Sequence, residues 1–162
     1  MDDFGSHKGK IFTPRQAKSK AEAYCAYQER SQQEVRDKLY HWGLHQADVE
    51  QVIAELIGEN FLNEERFALA YASGKFRMKG WGKHKIKQGL EQKRVSSPLI
   101  RTALASLDDH EYRGKLHGLL LAKARLEKEK HPYKRKNKLL RYALGKGYES
   151  ELIMELLKDN DL

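Results

Sequence analysis

The feature that most constrains this chain is a pattern that occurs three times. Arg30 to Leu44 (RSQQEVRDKLYHWGL) is followed by ADVEQVIAEL, Gly80 to Val95 (GWGKHKIKQGLEQKRV) by SSPLIRTAL, and Tyr133 to Tyr148 (YKRKNKLLRYALGKGY) by ESELIMELL. Aligned on one another, Val35, Ile86 and Leu139 coincide, as do Leu39, Leu90 and Ala143, and then Leu44, Val95 and Tyr148. Leu39 and Leu90 are 51 residues apart, Leu90 and Ala143 53. A period of about fifty residues marks an array of like units, each too small to bury its own apolar face well. The repeat predicts an all-α fold of tandem three-helix repeats, three units with about nine helices, elongated because each unit touches only its neighbours. Such an array points to a binding surface before a catalytic pocket.

Local signals place the helices. Residues 1–13 are polar and aperiodic and read as a flexible tail. Repeat 1 spans 14–60, repeat 2 spans 61–107 and repeat 3 spans 108–162. Pro14 suits a first helical turn, opening a helix from about Arg15 to Glu29. Ser31-Gln32-Gln33-Glu34 is a capping box, and Gly43 stands where a left-handed residue ends the next helix. Asp48, Asn63, Ser96 with Pro98, Asp108 and Ser150 are the other expected helix starts. A long helix is expected from about His110 to Lys130. Gly89 falls inside a helix, where it should weaken it by roughly 0.5–1 kcal/mol relative to Ala. No segment alternates as a half-buried strand does.

The formal charge of +8 is unevenly spread. Residues 1–60 carry −2, residues 61–110 carry +5 and residues 111–162 carry +5. A basic excess confined to repeats 2 and 3 favours a polyanion or an acidic partner over a merely solvated surface. The single Cys25 leaves no internal disulfide or Cys-rich zinc site, and a buried thiol among Ala23, Tyr24 and Ala26 is expected. That usage is compatible with a reducing, cytoplasmic compartment. No apolar run reaches the roughly eighteen residues of a membrane span, and the first ten residues lack a secretory core.

Catalytic chemistry is hard to find. There is no GxxxxGK[ST], no GxGxxG after a strand and no HExxH. The seven His are scattered, and Gly43 interrupts the helix between His41 and His45. No metal or other cofactor is expected, and acidic pairs such as Glu64–Glu65 are explained by helix starts. The stronger constellation is basic with interleaved aromatics: Lys75, Arg77, Lys79, Lys83, Lys85, Lys87, Lys93 and Arg94 around Phe76 and Trp81. Lys134, Arg135, Lys136, Lys138 and Arg141 form its counterpart in repeat 3. Lysines crowding a helix start conflict with the helix dipole, which argues for an anionic ligand there. Trp81 is either a stacking platform for a base or a packing residue between two glycines. The expected contact set is Arg77, Lys79, Trp81, Lys83, Lys87, Lys134, Arg135, Lys138 and Arg141.

Three ordered motifs carry a family resemblance. Arg30-Ser31-x-x-Glu34-x-x-x-x-Leu39-x-x-x-Gly43, then Phe61-Leu62-Asn63-Glu64-Glu65-Arg66-Phe67-Ala68, then Lys79-Gly80-Trp81-Gly82-x-x-x-Ile86-x-x-x-Leu90 resemble the RecX family, bacterial regulators of the RecA recombinase. The resemblance covers nearly all of the chain after about residue 18. It departs at Asn63, where the family usually has Asp, and at Gly89, where a larger residue is usual. It implies tandem three-helix repeats and a non-enzymatic regulator, an inhibitor by expectation, that binds the RecA–DNA filament as a monomer. DNA would be met mostly through the filament, and no membrane partner is implied. The alternative is a general DNA-binding helical module acting without RecA; a nuclease or other enzyme lacks metal-ligand spacing.

Overall fold

The computed structural model describes residues 11–162, so the tail expected over 1–13 lies mostly outside the described residues. Among the described residues there are nine helices and no strand: α1 (Pro14–Tyr27), α2 (Gln32–His41), α3 (Gln46–Gly58), α4 (Glu64–Lys79), α5 (Lys83–Gln92), α6 (Ser97–Ala105), α7 (Asp109–Leu126), α8 (Pro132–Gly145) and α9 (Ser150–Asp159). They divide into two compact units. Unit 1 is Met1–Ala70 with Lys93–Val95, and unit 2 is Tyr71–Gln92 with Ser96–Leu162.

In unit 1, α1, α2 and α3 pack on one another around Ala17, Ala21, Val35, Leu39, Trp42, Val49, Val52, Ile53 and Leu56. Each fully buried large aliphatic side chain of this kind contributes about 1.5–3 kcal/mol relative to exposure. Ser31 caps α2 as the sequence requires. Its Oγ accepts from the Glu34 N–H at 3.0 Å, and the Glu34 carboxylate accepts from the Ser31 N–H at 3.4 Å. The end of α2 closes on Gly43, at φ +93°, with Gly43 N–H bonded to Tyr40 O and Leu44 N–H to Leu39 O. That pair of bonds satisfies carbonyls the helix leaves open, and Leu44 folds back as its apolar contact.

Some helix starts differ from expectation. Thr13, placed in the tail, caps α1: its Oγ1 accepts from Gln16 N–H and Gln16 Oε1 accepts from Thr13 N–H. Phe12 joins it, donating its N–H to Trp42 O and meeting the Trp42 ring edge-on. α3 begins at Gln46 rather than after Asp48, because the turn at Gly43–Leu44 already delivers His45 in the extended conformation a helix entry needs. Asp48 instead sits in the first turn, where its charge complements the dipole. Ser150 is the first helical residue of α9, with Glu149 before it. α7 stops at Leu126, short of Lys130.

In unit 2, α7, α8 and α9 pack together, as do α5 and α6. The positions aligned by the repeat are buried in both units: Val35, Ile86 and Leu139 are each 0% exposed, and Leu39, Leu90, Ala143, Leu44, Val95 and Tyr148 are also buried. Gly89 is not a plain weak point. A Cβ there would lie 1.9 Å from Tyr71 Oη, so the missing side chain is what lets the Tyr71 ring lie against α5. The left-handed position held by Gly43 and Gly147 in repeats 1 and 3 is held by Arg94 in the middle repeat, at φ +59°.

Candidate functional site

The basic constellation is organised by the loop between α4 and α5. Gly80, at φ +69°, ends α4, with its N–H on Phe76 O and the Trp81 N–H on Lys75 O. Gly82 then presses backbone to backbone against the turn after α8. Its N–H donates to Lys146 O at 2.7 Å, and the His84 N–H donates to Gly147 O at 2.9 Å. A Cβ on Gly82 would meet Gly147 C and O and Tyr148 N at 2.5 Å. Tyr148 Oη donates to Gly80 O at 3.0 Å, the Tyr112 ring stacks on Phe76, and Tyr148 meets Tyr112 at a tilt.

This arrangement answers the charge conflict at the start of α5. The Lys83 N–H donates to Tyr112 Oη at 2.9 Å, and the Tyr112 hydroxyl donates to the Glu149 carboxylate in a short bond. Burial, reinforced by Glu149, holds the Tyr112 hydroxyl well above the usual phenol range. A carboxylate from the chain itself is thus relayed to the start of α5, where the N–H groups of Lys83, His84 and Ile86 have partners. With most of those N–H groups engaged, an external anion at this helix start would be met chiefly by the side-chain ammoniums.

The nine expected contact residues all lie in unit 2. Arg77 is exposed, 3.8 Å from Glu111. Lys79 and Lys87 are exposed on α4 and α5. Lys83 is half-buried, its Nζ 4.9 Å from the Tyr112 ring centroid. Lys134 and Arg141 are exposed on α8, and Lys138 pairs with Glu127 at 3.4 Å. The Glu127 carboxyl is held below its ordinary range, first by the Glu129 amide and then by Lys138. Arg135 turns inward, donating to Ala124 O at 2.9 Å and Glu127 O at 3.1 Å, so its guanidinium closes the C-terminal end of α7. Trp81 is half-buried, with the ammoniums of Lys75 and Lys85 each 4.9 Å from its centroid. Lys75 and Lys85 belong to the basic run but not to the expected contact set. Their convergence on one ring has no sequence signal, because the spacings of six and four residues cross a loop.

Unit 1 is different in kind. Several of its cations are paired: Lys18 with Glu55 and Glu59, Arg36 with Glu50, Arg66 with Glu29. Arg30 is buried over the Tyr24 ring, its Nε on Tyr24 O. The buried Cys25 thiol is pushed up to about 11, first by burial, which removes its nucleophilic form at neutral pH. Among the described residues no group of three His, Cys, Asp or Glu is placed to hold a metal ion, and no helix is long and apolar enough to cross a membrane.

Comparison with known proteins decides the family. Residues 17–56 match the first three-helix domain of RecX, residues 63–104 the second and residues 111–157 the third. Regulatory protein RecX of Clostridium acetobutylicum is 31% identical over 147 residues, which cover 88% of this chain and 68% of that protein. The chain belongs to the RecX family. Regulatory protein RecX of Clostridium botulinum is 33% identical over 134 residues, 80% of this chain and 61% of that protein. Several clostridial RecX relatives are therefore matched over less than two thirds of their own length. The crystal structure of RecX from Lactobacillus salivarius superposes with a TM-score of 0.84 at 24% identity, covering 91% of this chain and 96% of that one, which shows the shared fold.

Proposed function

We propose that this chain is a non-enzymatic, cytoplasmic regulator of the RecA recombinase that acts as a monomer and binds the RecA–DNA filament. One observation carries the reading: three RecX domains match in order along a chain whose second unit holds exposed cations with no carboxylate partner among the described residues. Lys79, Lys87, Lys134 and Arg141 are in that state, whereas Lys18, Arg36 and Arg66 of unit 1 are paired. The contact face would comprise Arg77, Lys79, Trp81, Lys83, Lys87, Lys134, Lys138 and Arg141, with Arg135 fixing α8 against the end of α7. Repeats 14–60, 61–107 and 108–162 would engage neighbouring protomers, so that several weak contacts on one stiff ligand sum to avidity. Inhibition follows if the bound chain must leave before strands exchange or the filament grows.

The deciding experiment measures binding to DNA with and without the cognate RecA. Strong preference for the filament supports the reading. Equal binding to bare DNA would replace it with the general DNA-binding module.

A further inference from the structure

Lys75, Trp81 and Lys85 come from α4, the loop and α5, and meet on one ring. Each ammonium is 4.9 Å from the Trp81 centroid, and that of Lys75 is also 5.4 Å from the Tyr71 centroid. Both lysines are held by their surroundings. The Lys85 Cβ lies against the Gly147 backbone, where any Cβ on Gly147 would come within 2.4 Å of it. Lys75 lies between two rings, one of which, Tyr71, is seated over Gly89. The ion pairs of unit 2 involve Arg77, Arg113 and Lys138, and among the described residues neither Lys75 nor Lys85 joins one.

Two ammoniums on one ring centroid are at most about 10 Å apart, a separation comparable with the Debye length of 0.1 M salt, so they repel. The indole face compensates part of the lost hydration by cation–π attraction. Among the described residues no carboxylate pairs with either ammonium. A ligand with closely spaced negative charges would, and a duplex carries one charge per roughly 1.7 Å of its axis. The cations here are ammoniums, point charges that can donate to a phosphate oxygen from many directions, rather than guanidinium forks that require a bidentate geometry.

We propose that Trp81 is a positioning residue: its ring holds Lys75 and Lys85 as a preorganised pair for the phosphates of DNA, and it does not stack on a base. The inference rests on the reading of unit 2 as a polyanion-binding face. A lysine already held in its contact geometry loses less side-chain freedom on binding, so the ring acts on affinity through the two lysines.

The test uses the full chain with two fluorescein-labelled probes, a bare DNA duplex and DNA coated by the cognate RecA, followed by anisotropy across a salt series. Lys75→Gln with Lys85→Gln should flatten the slope of log affinity against log salt by about 1.8, at about 0.9 per phosphate contact. Trp81→Leu should weaken binding about tenfold through lost preorganisation of two lysines. In the double-Gln background the same substitution should do nothing further. Trp81→Phe keeps a ring face, should show a smaller loss in the same non-additive pattern, and serves if Trp81→Leu does not fold. Equal loss from the Trp81 substitutions in both backgrounds, with an unchanged salt slope, means the ring meets the DNA itself and overturns the proposal. If the lysine substitutions leave DNA binding unchanged but weaken binding to a RecA filament, the pair docks on acidic protein. The phosphate assignment is then overturned while unit 2 remains the basic contact face. If the unsubstituted chain binds neither probe, the functional reading falls and takes this one with it.

Discussion

Replacing Gly82 with Ala adds one methyl group at the point where two backbones touch. The new Cβ would sit 2.5 Å from three backbone atoms of Gly147 and Tyr148, none of which can rotate away as a side chain can. The loops must separate, which breaks or stretches Gly82 N–H to Lys146 O, His84 N–H to Gly147 O and Tyr148 Oη to Gly80 O. Three hydrogen bonds at about 1 kcal/mol each put the loss at about 3 kcal/mol. At about 2–4 °C per kcal/mol for a chain of this size, the melting temperature should fall by about 6–12 °C. Gly118→Ala is the contrasting control. It places the same methyl on α7 with nothing within 4 Å, and should stabilise by about 0.5–1 kcal/mol. Urea denaturation read by circular dichroism measures both. A Gly82→Ala midpoint within about 0.5 kcal/mol of the parent, beyond the roughly 10–15% uncertainty of extrapolation, would show that the loops part without loss and refute the reasoning.

Three further outcomes are expected. Ser31→Ala should cost about 1–2 kcal/mol, toward the top of the range for helix caps because Ser31 is fully buried; an unshifted denaturation midpoint would remove the capping box from the stability of α2. Arg94→Gly should stabilise by about 1 kcal/mol by relieving a left-handed residue, and a lower melting temperature would instead reveal a folding contact made by the guanidinium. The Tyr112 hydroxyl stays protonated in the folded chain past the pH where an unfolded tyrosine ionises, so the unfolded state binds fewer protons. Its share of stability is present below about pH 10 and is lost as pH rises through the folded value. Tyr112→Phe should therefore lessen the decline of unfolding free energy above pH 10, by up to about 1.4 kcal/mol per pH unit, and identical declines in parent and variant would contradict it.

What the sequence made legible is what depends on periodicity and on neighbours within four residues. The three aligned layers of core residues were readable because each unit must bury the same face, and Ser31, Asn63 and Asp108 cap as short motifs do. Thr13-Pro14-Arg15-Gln16 has the same form, but the polar, aperiodic residues before it make it look like part of a tail. Asp48 was misread because a cap rule looks forward to the helix, while the turn at Gly43–Leu44 behind it fixes where α3 starts. The cost assigned to Gly89 ignored Tyr71, eighteen residues earlier and invisible to local pattern. The same blindness applies at the candidate site. Lysine spacing said that unit 2 is basic, but only tertiary structure shows Arg135 spent on the carbonyls of α7, and Lys75 and Lys85 gathered on Trp81. The Glu149–Tyr112–Lys83 relay joins residues 29 and 37 apart, a range at which a single sequence carries no signal.

The placement of the two tryptophans gives the chain a pair of built-in optical reporters. Trp42 belongs to unit 1 and Trp81 to unit 2. Trp42 is fully buried and its indole N–H has no hydrogen-bond partner among the described residues, a desolvated setting in which indole emits toward the blue. Trp81 is half-exposed between two ammoniums, so its emission lies to the red and responds to whatever anion neutralises them. A single emission spectrum thus contains two separable components, one tracking the integrity of the Ala17–Leu56 core and the other the occupancy of the basic loop. Melting and binding can be followed together in one cuvette without attaching a dye.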